Sequence, residues 1–102
     1  MEIIKKLSKM IHEEIEDAEK YTKCAIKYKD TFPDVAQVLF NLGNEEMGHM
    51  EKLHTAVTRV IADYRARNGE PPAAMMAVYD YLHEEQIEKA KNVRILQEQF
   101  RR

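Results

Sequence analysis

The 102-residue sequence has no tryptophan, one cysteine, three glycines and three prolines. A lone Cys24 can form neither an internal disulfide nor a cysteine-based zinc site, and it suggests a reducing compartment. With so few glycines and prolines there is little material for the turns of a sheet. A composition 44% hydrophobic and 33% charged suits helices with solvated outer faces. Long apolar runs are missing as well. None approaches the ~20 residues of a membrane span, and the opening Met1-Glu2-Ile3-Ile4-Lys5-Lys6 mixes charge with apolar residues, unlike a secretory leader. A cytoplasmic protein with no membrane partner is expected. Nor does one sign of charge dominate: 16 basic and 18 acidic residues leave a formal net charge of -2. Without a basic stripe to track phosphates, nucleic acid is not an expected partner.

What the sequence does have is helical periodicity with two interruptions. Asp30-Thr31-Phe32-Pro33-Asp34 offers Thr31 as a cap and Pro33 as a first-turn residue. Asn68-Gly69-Glu70-Pro71-Pro72 offers Gly69 as a left-handed terminator and prolines to open a new helix. The prediction is an all-α chain, one domain over 1–102, with helices near 2–29, 33–67 and 72–100.

Apolar residues recur on the first helix at Ile4, Leu7, Ile11, Ala18, Tyr21, Ala25 and Tyr28, and the position that completes the run is Glu14. On the second helix the run is Val35, Leu39, Leu42, Leu53, Ala56 and Val60, with Glu46 and His49 filling the gap. Three ionisable residues thus stand where leucines would be expected. An acid on a buried stripe needs a partner or loses its charge, and no Lys or Arg shares these stripes near Glu14 or Glu46. A divalent cation would compensate both acids, and neutral His49 is a good ligand for the same ion. Glu46 and His49, three apart, are neighbours on one helix face.

Glu14-Ile15-Glu16-Asp17-Ala18-Glu19-Lys20-Tyr21, followed by Glu46-Met47-Gly48-His49, resembles the ferritin-like superfamily. The likeness is to rubrerythrin-like proteins, bacterioferritin and encapsulated ferritins in particular, and it covers the first two helices. The resemblance implies a di-iron carboxylate site. In it Glu46 would bridge two metals, Glu14 and His49 would each bind mainly one, and Tyr21 would hydrogen-bond beside them. A full subunit of that superfamily has four helices and a second Glu-x-x-His, whereas this chain reads as three helices with one. A homodimer, or a larger even-numbered assembly, would complete a four-helix bundle and supply four carboxylates and two imidazoles, enough for two iron ions. Manganese or zinc could use the same donors. The resemblance implies ferroxidase chemistry, with ferrous iron and oxygen as substrates. No shell-targeting segment is readable in Gln97-Glu98-Gln99-Phe100-Arg101-Arg102, so association with a protein shell cannot be inferred.

The remaining polar residues mostly read as solvated. Glu85 and His83 on the third helix are further possible ligands, although that helix reads first as a packing element with a stripe of Tyr79, Leu82, Val93, Leu96 and Phe100. Asp17 and Glu45 could serve a transient entry site. His12 and His54 read as surface or interface residues. Gly43 and Gly48, each costing about 1 kcal/mol inside a helix, suggest close helix approach near the ligands. Two alternatives stand beside the iron enzyme: a structural manganese or zinc site without turnover, and a metal-free helical assembly or adaptor module.

Overall fold

A computed structural model describes all 102 residues as three helices: α1 (Glu2–Tyr28), α2 (Pro33–Asn68) and α3 (Ala73–Arg101). Each observed end lies within a residue of the predicted one. The first break begins differently from the prediction. Pro33 takes the first helical position of α2, where a fixed φ and a missing N–H cost nothing. The extended Phe32 (φ -136°) is therefore the N-cap, and Thr31 falls one place too early to cap anything. At the second break Gly69 has φ +79°, the only positive φ in the chain, and ends α2 as its sequence position implied. Pro72 stands just outside α3 as its N-cap.

The buried residues of α1 are Ile4, Ser8, Ile11, Ile15, Ala18, Thr22 and Ala25, alternating steps of four and three. Ala36, Phe40, Gly43 and Met47 on α2, and Gln86, Ala90, Val93, Gln97 and Phe100 on α3, keep the same rhythm. This is the spacing of helices that wind around one another with a narrow shared seam. The resulting rod measures 56 × 18 × 18 Å. α2 returns antiparallel along α1, and the two approach closely at Gly43. A Cβ added there would lie 2.8 Å from Thr22 Oγ1 and 3.3 Å from the Ala18 carbonyl. Gly48, by contrast, has nothing within 4 Å of such a Cβ, so the close approach predicted for it is absent.

α3 runs parallel to α1 and rests chiefly on it. Met1 lies beside Met75, Gln86 donates to the Ser8 carbonyl at 3.0 Å, and Lys29 donates to the Phe100 carbonyl. Phe40 of α2 stacks on Phe100, with ring centroids 4.6 Å apart. Ser8 and Lys29 on α1, with Phe40 and His54 on α2, thus mark the sides turned towards α3. Leu7, Glu14, Tyr21 and Tyr28 each precede a member of that α1 line by one residue, about 100° round the helix. Leu39, Glu46, Leu53 and Val60 do the same on α2. The helix pair consequently has a second face, turned away from α3, whose apolar members are only half-buried. Glu14 and Glu46 lie on that face.

Candidate metal centre

Glu14 and Glu46 occupy matching positions on the two antiparallel helices, and His49 follows Glu46 by just under one turn. The three offer ligand atoms that all lie within 4.8 Å of one another. His49 Nδ1 is 3.5 Å from Glu14 Oε2 and 3.7 Å from Glu46 Oε1. The two carboxylates are largely covered, at 25% and 19% side-chain exposure, while His49 is 54% exposed. The predicted trio is therefore assembled, but with its imidazole open to solvent instead of inside a sealed core.

The electrostatics of the trio are unbalanced. Glu14 Oε2 is buried and has no hydrogen-bond partner. The Glu46 carboxyl is pushed up to about 7, first by sharing a proton with Glu14, then by burial and by repulsion from the Glu14 charge. His49 pulls the other way, and Asp17 adds a smaller push upward. No lysine or arginine is among the groups acting on Glu46. Two acids are held together with one imidazole, and the chain provides no full positive charge beside them.

The other predicted candidates divide clearly. Asp17 is exposed on the rim, close enough to be felt by Glu46. Glu45 is exposed and outside the trio. Tyr21 is half-buried on the Glu14 line, near the Gly43 crossing, but it is not among the groups that act on Glu46. On α3, Glu85 is exposed and acts on the Tyr81 phenol one turn before it, pushing that group up, and His83 stacks on His54 of α2. Neither joins the trio, because α3 covers the opposite side of the helix pair. His12 is half-buried and paired with Glu16 one turn on.

The His54–His83 contact went unpredicted. His54 read as a surface or interface residue, and nothing in a helical period marks a partner on another helix. The rings are 4.5 Å apart and 4° from parallel, and His83 also stacks on Tyr79 at 5.6 Å.

No protein-family model, curated protein or solved structure matches the chain. The ferritin-like resemblance accordingly rests on its motif residues alone.

Proposed function

We propose that Glu14, Glu46 and His49 form half of a two-metal site, which two copies of the chain complete across the face turned away from α3, and that this site oxidises ferrous iron with oxygen. The observation that carries the reading is the orphaned Glu14 oxygen beside a Glu46 carboxyl that holds its proton to about neutral pH. A cation between them would give that oxygen a partner and replace the shared proton. Carboxylate oxygens with one imidazole are a donor set that iron, manganese and zinc all accept.

The chain's own residues have separate parts in this reading. Glu46, the more covered acid, would exchange the proton it holds for a cation, and the resemblance would make it the carboxylate shared between two ions. Glu14 approaches from α1 and His49 from the next turn of α2, so both helices hold the ion. His49 Nδ1 is the nitrogen turned to the acids and would be the ligand atom. Leu7, Tyr21, Leu39 and Leu53, half-buried around the trio, provide apolar contact for a second copy and keep water scarce once it docks. Two-fold repetition opposes each trio with its own copy. Ferrous iron would be the substrate: two ions held by the paired trios would each lose one electron to become ferric, and one oxygen molecule taking both electrons and two protons would leave as hydrogen peroxide.

The test is anaerobic loading with ferrous ion followed by air, with oxygen uptake, elemental content and solution mass measured together. The expected result is about one metal per chain in an even-numbered assembly, with oxygen consumed. Uptake of metal without oxygen consumption would replace the enzyme with a structural metal site. No uptake would leave a helical assembly module, and a metal-loaded species of 12.0 kDa would end the shared-site reading.

A further inference from the structure

The groove between α2 and α3 carries a second set of titratable groups, independent of the metal reading. It encloses about 260 Å³ and is lined by Ile11, Met50, Ile87 and Ala90 below His54, His83 and Arg94. α3 has few other contacts with α2, since it lies mainly along α1. The histidine stack is one of four pairings that tie these two helices, together with Phe40–Phe100, the Arg101 guanidinium over the Phe40 ring and the Arg94–Glu51 ion pair at 2.8 Å. We propose that the His54–His83 stack is an acid-released latch: it holds α3 against α2 while the rings are neutral and lets go when His54 takes up a proton.

Two parallel imidazoles at 4.5 Å attract as neutral aromatic faces and repel as cations. The groups around them offer no compensation. From α2 the nearest acid is Glu51, already engaged by Arg94. From α3 the neighbours are Tyr79, neutral and stacked, Arg94, itself a cation, and Gln86, whose amide donates to Ser8. Asp80 is exposed one turn before His83 and bears on Tyr79, but it is not among the groups that act on His54. From α1 only Ile11 lines the groove. A proton on His54 therefore enters a half-buried place beside the Arg94 cation, with no acid among the groups that act on it.

Burial, and then His83, hold the affinity of His54 for a proton below the ordinary imidazole value of 6.5. The sign follows directly. A histidine depressed in the folded state leaves the latch fully closed above the unfolded value, and its contribution is lost as pH falls through and below that range. Release at the latch would free the middle of α3 from α2 while Ser8–Gln86 and Lys29–Phe100 still hold α3 to α1.

Amide hydrogen exchange, corrected for its intrinsic pH dependence, tests this in the full chain near pH 7.5 and pH 5. In the parent protein, protection around residues 80–97 of α3 should drop at the lower pH by more than it does in the buried stretch of α1. Because Glu46 takes up a proton over an overlapping range, the decisive comparison is with His54→Phe and His83→Phe, which keep an aromatic face but cannot protonate. Each should retain α3 protection at the lower pH. An equal loss in either variant, or uniform loss along all three helices of the parent, would overturn the latch. Should a phenylalanine variant fail to fold, proton NMR titration of the parent serves instead. Two imidazoles titrating independently at the free-histidine value would equally end the proposal.

Discussion

The two sides of the α1/α2 pair treat polar residues in opposite ways. On the side under α3 most of the covered polar groups have a complementary partner: Gln86 with the Ser8 carbonyl, Lys29 with the Phe100 carbonyl and Thr22 with the Ala18 carbonyl, and at the exposed edge Arg94 pairs with Glu51. The exceptions are the Gln97 amide nitrogen, buried without one, and the half-buried His54 and His83 rings, which have only each other and Tyr79 to stack on. On the far side the polar groups are two acids that face each other, and the oxygen left unsatisfied belongs to one of them. Polar residues on the first side fix how helices align. On the second side they oppose folding unless something from outside the chain joins them. The difference separates scaffold from site without reference to any relative.

The largest expected effect attacks the uncompensated side. Glu46→Gln keeps the shape of the side chain but removes the charge and the bridging oxygen pair. Changes one layer outside a metal site cost 10–100-fold in affinity, so loss of this ligand should weaken loading by more than about 100-fold. The metal-free protein should be no less stable than the parent, because the repulsion with Glu14 is gone. Metal titration and denaturant unfolding read the two effects. A variant that loads normally, or one that loses stability, would place the trio in the same class as the polar groups under α3.

The pH dependence of the metal-free protein sharpens the same contrast. Glu46 is raised in the folded chain from 4.5 to about 7, so between those values the folded state holds a proton that the unfolded state has released. Its contribution makes the fold most stable below the lower value, with stability lost as pH rises towards the upper one and no further change beyond. The latch acts in the other direction, losing stability on acidification. Comparing the parent with Glu46→Gln isolates the carboxylate part, and denaturant midpoints across the range measure it. Metal binding should strengthen as pH rises through the same interval, since metal and proton compete for one carboxylate.

Among the compensated groups, Gln86→Ala removes the Ser8 hydrogen bond and leaves a hole in the seam. It should cost about 1–3 kcal/mol while leaving metal loading unchanged, as read by unfolding and titration. A loss of metal would mean that α3 and the site are coupled.

Helix limits were legible because the breakers are sharp and few. The trio was legible because Glu14, Glu46 and His49 interrupt a period. Which strip of α1 is most deeply covered was not. The predicted run includes Ile4, Ile11, Ala18 and Ala25 of the buried line but joins them to the half-buried Leu7, Glu14, Tyr21 and Tyr28, whereas the deepest line continues through Ser8, Ile15 and Thr22. Ile15, only 1% exposed, belonged to neither expectation. A helix packed against two neighbours uses two adjoining strips, and one sequence period cannot say which of them a third helix will cover. Polar Ser8 and Thr22 hid the second strip, since each is small enough to bury once its hydroxyl or its carbonyl has a partner. The His54–His83 stack joins residues on different helices and leaves no periodic trace at all.

The smallest expected effect is a pair of matched substitutions at the two glycines of α2. Both glycines weaken an isolated helix by about 1 kcal/mol relative to alanine, so propensity alone predicts equal gains. Space predicts opposite signs. At Gly43 a new Cβ would meet Thr22 Oγ1 at 2.8 Å and a backbone carbonyl at 3.3 Å, and neither can move far, because Thr22 is buried and bonded back to Ala18. Overpacking of this kind costs about 1–3 kcal/mol, which cancels the propensity gain or exceeds it. Gly43 is also one turn before Glu46, so spreading the helices there would draw Glu14 away from its partners and lower metal affinity as well. Gly48 has open space, and Gly48→Ala should gain up to about 1 kcal/mol with metal loading intact. Thermal or denaturant unfolding of the two variants decides the matter. Equal gains at both positions would show that the helices can part at Gly43 without penalty, and the close crossing would then not be what holds the two acids together.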